Sequence, residues 1–191
     1  RSTTDYFPIT IMNTILGGSF SSRLNQNLRE KNGYTYGARS GFSFRESAGP
    51  FTASASVQTE VTDKALTEFF NELNGISRPI QAEDISRGKN YVALRYPGNF
   101  QAVQEIAGQL SEMVQFNLPE SYFNDYVFNM LTVSGDAVHN VAKKYIVTDQ
   151  MAIIVVGDRA KVEEGIKKLN LGEVKNLTIE DVLGKVPKLA N

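Results

Sequence analysis

Residues 16–37 read LGGSFSSRLNQNLREKNGYTYG, and this stretch decides the local fold. After two glycines and a run of serines come Leu24 and Leu28, which are four residues apart and therefore share one face of a helix. Gly33 suits the position just past the end of that helix, where the backbone often turns left-handed. We therefore predict a helix from about Ser22 to Lys31, beginning after the glycine-rich turn.

The residues that follow this helix show a different periodicity. From Tyr34 to Ala38 the chain alternates with period two, which is typical of a strand. Arg29 lies in the last turn of the predicted helix, and Tyr36 lies in the first residues of the predicted strand. Because the turn between helix and strand is short, we predict that the Arg29 and Tyr36 side chains face the same space.

This stretch resembles the signature of the C-terminal, non-zinc-binding domain of the M16 metallopeptidases, the family of pitrilysin, insulinase and mitochondrial processing peptidase. The resemblance rests on a glycine-rich turn, a capped helix, and an Arg and a Tyr seven residues apart, in that order. In this family an inverted HxxEH motif in another domain or chain holds the zinc, and the C-terminal domain supplies the Arg and Tyr that bind the substrate backbone. The resemblance implies that Arg29 and Tyr36 have this role.

Composition limits the classes of function that the chain can have. Its 191 residues suffice for one domain with a substantial core. The 20 basic and 21 acidic side chains create no overall field that would recruit nucleic acid or an anionic membrane. No apolar run approaches the roughly 18 residues that a membrane span needs. The absence of cysteine removes disulfides, thiol catalysis and thiolate metal sites together. We therefore expect neither a nucleic-acid partner nor a membrane span.

The two ends of the chain suggest a piece of a longer protein. The first residues carry neither an initiator Met nor a signal-peptide pattern. Domains of the M16 family begin with a strand before the first helix, which here spans roughly Asp5 to Leu16. The resemblance therefore implies one C-terminal-type domain over residues 1–191 that lacks this first strand. We interpret the tail, VLGKVPKLAN, as a linker or a frayed end.

Elsewhere the pattern predicts an α+β fold. Strands over 36–46 and 51–58 form a hairpin, and an apolar run over 151–156 indicates a central strand that closes the core. An edge strand is predicted over 174–179. We expect two layers, with a mostly antiparallel sheet covered by helices on one face, and the resemblance implies the same LuxS-like metallohydrolase architecture. Helices are predicted over 61–73, 83–95, 100–116, 120–130, 136–145 and 161–169.

The residue types and motifs of the sequence argue against catalysis by this chain alone. A catalytic metal needs about three protein ligands, and zinc favours His and Cys, but the chain has one His and no Cys. We therefore expect no metal site and no cofactor in this chain. His139, with Lys143 one helical turn on, is interpreted as an ordinary surface or partly buried histidine. No GxSxG elbow, GxGxxG or GxxxxGK[ST] motif occurs, which argues against serine catalysis and nucleotide binding.

Two interpretations of Arg29 and Tyr36 follow from the residues alone. An Arg in a last helical turn often only complements the helix dipole, and a strand Tyr often only packs. Alternatively, the guanidinium and the phenol together hold a peptide carbonyl and stabilise the oxyanion of a tetrahedral intermediate. The family resemblance favours the second interpretation. Ser19 and Phe20 are further candidates for substrate binding, although packing of Phe20 under the loop fits the sequence equally well.

The predicted function is that of the substrate-binding half of an M16-like zinc peptidase, with no activity alone. It would pair with an HxxEH-bearing domain of the same polypeptide or with a separate HxxEH-bearing subunit, which supplies the zinc and with it cleaves peptides. The expected oligomer is a homo- or heterodimer. Two alternatives stand beside this hypothesis. One is a structural or assembly subunit, which would have no need to keep the Arg29 and Tyr36 spacing, and the other is a peptide-binding module without hydrolysis. By analogy with bacterial two-chain M16 systems, the expected location is the cell envelope or periplasm.

Overall fold

The computed structural model describes residues 3–185 and begins with a long interrupted helix. Helix α1 (Tyr6–Asn13) continues into a π-helical stretch, Thr14–Gly18, which we call the first π segment. Together these elements confirm the helix predicted over roughly Asp5 to Leu16. The end of the first π segment lies against the hairpin, because a Cβ atom at Gly17 would come within 2.5 Å of the Ser40 backbone nitrogen. Only glycine permits this close approach.

The helix predicted over Ser22–Lys31 is present over residues 23–31, and most of it is π-helical. We call the stretch Asn25–Lys31 the second π segment. The helix ends as predicted, since Gly33 has a φ of 65° and its N–H donates to the Arg29 carbonyl at 3.1 Å. Both leucines of the predicted apolar face are fully buried. The periodicity of the sequence therefore identified the face that packs on the core.

An antiparallel hairpin follows this helix, as the alternation of residues predicted. Strand β1 (Thr35–Phe42) pairs with β2 (Phe51–Val57), with Phe42 opposite Phe51. The register shifts between Thr35 and Ala38, which places an irregularity at the start of β1. The half-buried side chains of β2 that pack against the core are Phe51, Ala53, Ala55 and Val57.

Helices make up most of the remaining structure, and each of the six predicted there is present within a few residues. Helix α1 packs against α3, α5 and α6, while β1 packs against both π segments. The structure is therefore α+β, with the hairpin held against helices. The helices are α2 (Thr62–Gly75), α3 (Ala82–Arg95), α4 (Val103–Gln115), α5 (Tyr122–Thr132), α6 (Gly135–Tyr145), α7 (Arg159–Lys168) and α8 (Ile179–Leu183). The largest fully buried apolar side chains are Ile11, Met12, Leu16, Leu24, Leu28, Ile76, Met130 and Val138.

The predicted central strand over 151–156 is wrong. This run pairs with no strand among residues 3–185, where the sheet has the two strands of the hairpin. Ile154 and Val156 are 85% and 93% exposed, so the run does not close the core. A strand needs a neighbour to satisfy its backbone N–H and C=O groups, and an apolar run specifies a tendency to be buried without specifying that neighbour.

The predicted edge strand over 174–179 is also wrong. Residues 174–178 belong to no strand or helix, and residue 179 begins α8. The Thr178 side chain accepts a hydrogen bond from the Asp181 N–H, which starts a short helix where a strand was expected. Of the predicted C-terminal linker, residues 186–191 lie outside the described residues. None of the helices within 3–185 has the length and hydrophobicity to cross a membrane.

Asp5 joins the beginning of α1 to the end of α6. Its Oδ2 atom accepts hydrogen bonds from the Lys144 ammonium and the Tyr145 hydroxyl, each at 2.7 Å. These bonds, that of Lys144 first, hold the pKa of the Asp5 carboxyl below its ordinary value. The folded state therefore favours the ionised carboxylate.

Replacing Asp5→Asn is expected to lower the free energy of unfolding by about 1 kcal/mol near pH 7, because a charged acceptor is lost beside an exposed lysine. A carboxyl whose pKa is depressed by folding contributes stability above its unfolded pKa, and this contribution is lost as the pH falls through the folded pKa. Urea denaturation of both proteins at about pH 7 and about pH 3 checks this expectation. The difference in the free energy of unfolding between the wild type and Asp5→Asn should be smaller at about pH 3 than at about pH 7. An equal difference at both pH values would contradict the conclusion that folding lowers the Asp5 pKa.

Candidate functional site

The turn between the two π segments carries Phe20 at its tip. The Ser22 N–H donates to the Ser19 carbonyl at 3.2 Å and closes the turn. The Ser19 hydroxyl donates to the Thr14 carbonyl at 3.1 Å, so the side chain of this predicted site residue caps the end of the first π segment. π-Helical turns are rare and often accompany functional sites.

Phe20 and Arg29 are in direct contact. The Arg29 Cζ atom lies 4.5 Å from the centroid of the Phe20 ring. Phe20 is 66% exposed, so it does not pack under the loop, which was the other arrangement that the sequence allowed. Stacking on an aromatic ring occupies a face of the guanidinium and leaves its N–H edge available. The contact therefore holds Arg29 at the surface, where its Nη1 also lies 3.5 Å from Glu30 Oε1.

Tyr36 is the most exposed large aromatic residue of the structure. Its side chain is 99% exposed, and its hydroxyl has no hydrogen-bond partner in the region from residue 3 to residue 185. Tyr34, two residues earlier, instead packs against the core. In a regular strand, side chains two residues apart lie on the same face, so the alternation over residues 34–38 predicts one face for these two tyrosines. The irregularity at the start of β1 separates them, because a bulge redirects the side chains of its strand.

The backbone beneath Tyr36 is held by a threonine side chain. The Thr35 hydroxyl donates to the Ser56 carbonyl at 2.7 Å, and it accepts from the Gly37 N–H at 3.1 Å. These bonds clamp the residues on either side of Tyr36. Tyr36 and Arg29 form no hydrogen bond or ring contact with each other in the described part of the chain, so they are two separate donors. Their convergence on one ligand stays a prediction.

A polar network fastens the helix that carries Arg29. The buried Asn27 side chain donates from Nδ2 to both Glu68 and Glu72 of α2 at 2.8 Å. Arg23 Nε donates to the same Glu72 at 3.0 Å. Two carboxylates and an amide thus lock this helix onto α2. Sequence reasoning missed these residues, because the partners lie more than 40 positions away and no local pattern marks them.

The described residues offer no ligand set for a metal ion. Within residues 3–185 no three His, Asp or Glu side chains lie close enough together to hold one. His139 is partly buried on α6, in agreement with its interpretation from the sequence, and its Nδ1 atom has no partner there.

Comparison with protein families finds a match in the first part of the chain. Residues 1–92 match the peptidase M16 inactive domain. This region contains both π segments, the hairpin and the turn, and therefore Ser19, Phe20, Arg29 and Tyr36.

Individual relatives agree with this match. An uncharacterized zinc protease of Rickettsia bellii is 31% identical over 113 residues, which are 59% of this chain and 26% of that protein. The crystal structure of a peptidase M16 inactive domain from Pseudomonas fluorescens is similar with a TM-score of 0.69 and 28% identity, covering 76% of this chain and 35% of that one.

A more distant similarity concerns the fold alone. The crystal structure of a protease from Helicobacter pylori has a TM-score of 0.69 at 19% identity, and the similar region covers 76% of this chain and 36% of that one. The chain thus spans about a quarter of the length of the Rickettsia protein and about a third of these two solved chains.

Proposed function

We propose, because residues 1–92 match the peptidase M16 inactive domain, that this chain forms the substrate-binding half of a zinc peptidase. In this proposal it pairs with an HxxEH-bearing domain or subunit and has no activity alone. The observation that carries the proposal is the presentation of Arg29 and Tyr36. One is stacked at the surface on Phe20, and the other is fully exposed with an unused hydroxyl.

The needs of folding alone do not explain why the Arg29 and Tyr36 side chains are exposed. A Tyr placed only for packing would bury its ring, as Tyr34 does. An Arg placed only for the helix dipole would not need an aromatic support outside the core. Surface aromatic and guanidinium groups are typical of binding surfaces because they combine apolar area with fixed donors. The arrangement therefore supports recognition of a ligand with hydrogen-bond acceptors, as the peptide backbone has.

The roles proposed for Arg29 and Tyr36 follow from the hydrogen-bond donors of their side chains. The guanidinium and the phenol donate hydrogen bonds to the carbonyl oxygen of an extended peptide, and these bonds strengthen as that oxygen becomes an oxyanion. The zinc of the partner would supply the Lewis acid and the activated water. This chain supplies the part of the site that orients the peptide backbone, with Phe20 holding Arg29 in position.

The names of two relatives support a proposal in which zinc binding and substrate binding belong to different domains or chains. The Rickettsia protein is named a zinc protease, and the Pseudomonas structure is an inactive domain. A chain without a metal-binding cluster in its described residues fits the second description. The zinc and the general base would then come from the partner.

Reconstitution tests the proposal directly. This chain, a zinc-loaded HxxEH-bearing M16 chain as its candidate partner, and their mixture are each incubated with a fluorogenic peptide that lacks stable structure. We expect cleavage above background only in the mixture, because each chain holds half of the site. Cleavage by the HxxEH-bearing chain alone at the rate of the mixture would overturn the proposal and favour a structural subunit.

Binding measurements with the same peptide separate the remaining alternative. A peptide-binding module would take up the peptide in isolation, but adding it would not accelerate cleavage by the HxxEH-bearing chain. A substrate-binding half accelerates cleavage, whatever its affinity alone.

A further inference from the structure

One buried amide connects the three pieces of chain that present the proposed site. Asn25 begins the second π segment and is only 8% exposed. Its Oδ1 atom accepts a hydrogen bond from the Ala38 N–H at 2.8 Å, and its Nδ2 donates to the Ser19 carbonyl at 3.2 Å. The partners determine which end of the amide is which, since an N–H only donates and a carbonyl only accepts. Asn25 thus joins its own helix to the turn and to β1.

Each of the joined pieces carries one residue of the proposed site. Phe20 directly follows Ser19 in the turn, and Arg29 lies four residues after Asn25 on the same helix. Tyr36 lies two residues before Ala38 in β1. We infer that Asn25 is a positioning residue, which sets the relative placement of Phe20, Arg29 and Tyr36 and touches no substrate itself. This inference rests on the proposed function.

The Asn25 amide is a direct link between elements whose exposed donors do not bond to each other. Tyr36 and Arg29 form no hydrogen bond or ring contact with each other in the described residues, so their separation depends on the elements that carry them. The start of β1 is irregular, and the Asn25 side chain bonds to it at Ala38 and to the turn at Ser19, which restrains both. Buried hydrogen bonds are also costly to leave unmade, which gives the Asn25 amide a strict geometry.

The chain contains a matched control for this tether. Asn13 also joins a helix to β1, because its Nδ2 donates to the Ser40 carbonyl at 3.2 Å and its Oδ1 accepts from the Ser40 hydroxyl at 2.8 Å. It bonds neither to the turn nor to the second π segment through these contacts. Asn13→Ala therefore also removes two side-chain hydrogen bonds, both of them to β1, but not the link between the three pieces.

The test compares variants in the reconstituted peptidase. Asn25→Ala removes both bonds, whereas Asn25→Asp keeps the acceptor for Ala38 and loses the donor to Ser19. We expect Asn25→Ala to lower kcat/KM by about 10- to 100-fold, mostly through kcat, because a displacement of about 1 Å costs this much. Asn25→Asp should fall between Asn25→Ala and the wild type, and Asn13→Ala should stay within about threefold of the wild type.

A second readout separates positioning from stability. Once Asn25→Ala has displaced the donors, removing Arg29 costs less, so Arg29→Ala should lower kcat/KM by less than about tenfold in that background rather than about 10²-fold. The inference is overturned if Asn25→Ala behaves like Asn13→Ala, or if Arg29→Ala keeps its full effect. If Asn25→Ala does not fold, the same comparison is made with Asn25→Asp. The inference is overturned if Asn25→Asp has wild-type kcat/KM and Arg29→Ala keeps its full effect in the Asn25→Asp background.

Hydrogen exchange at Ala38 distinguishes failure of this inference from failure of the proposed function. The Ala38 amide should be protected in the wild type and in Asn25→Asp, and it should exchange faster in Asn25→Ala. If the wild type does not accelerate cleavage at all, the proposed function has failed and the positioning role with it, while the exchange result shows a purely structural tether. If the wild type is active and Ala38 exchange and kcat/KM are both unchanged in Asn25→Ala, the inference alone has failed.

Discussion

Arg29→Ala is expected to lower kcat/KM of the reconstituted peptidase by about 10²-fold or more. Removing a donor to a developing oxyanion typically has an effect of this size, because the bond is strongest in the transition state. Stability should change little, since the Arg29 side chain is 34% exposed and its contacts are a surface ring and a neighbouring carboxylate. Steady-state kinetics with the peptide substrate, together with urea denaturation, check both expectations.

Two further variants sharpen this prediction. Arg29→Lys keeps the positive charge but loses the planar fork of donors, so most of the loss should persist. Lys31→Ala removes a cation from an exposed position two residues further along the same helix and should leave kcat/KM unchanged. Activity restored by Arg29→Lys would indicate a general electrostatic effect. An unchanged rate in Arg29→Ala would assign this residue to the structure alone.

Tyr36→Phe is expected to lower kcat/KM by a similar factor, about 10²-fold or more, with the ring retained. The variant removes only the hydroxyl, which has no partner within the described residues, so folding has no use for it. The free energy of unfolding should therefore stay within about 0.5 kcal/mol of the wild-type value. Kinetics and denaturation of the same preparation separate a catalytic loss from an unfolding loss.

Tyr34→Phe is the matched control for this variant. It removes the same hydroxyl two residues earlier, from a ring that packs against the core instead of facing solvent. We expect wild-type kcat/KM for Tyr34→Phe. Equal activity losses in both tyrosine variants would contradict a specific role of Tyr36. The double variant Arg29→Ala with Tyr36→Phe should lose less than the product of the single losses, because both donors bind the same carbonyl in this proposal.

The pairing of Phe20 with Arg29 shows how much of the site the sequence could supply. The resemblance to the M16 signature, together with the positions of Arg29 and Tyr36 at the end of a helix and the start of a strand, identified both residues as candidates. The sequence left Phe20 either under the loop or on the surface, because a single aromatic in a short turn satisfies both arrangements. In the folded protein Phe20 lies at the surface, where its ring stacks on the Arg29 guanidinium.

The sequence by itself determined the helices other than α8, the end of the second helix at Gly33 and the hairpin, because periodicity and turn chemistry act over a few residues. Only the tertiary structure determined that the 151–156 run forms no strand, and which residues the Asn25 and Asn27 side chains bond to. A strand requires a neighbour, and Asn27 bonds to Glu68, 41 positions away. Such partners meet only after the chain has folded, so no local pattern announces them.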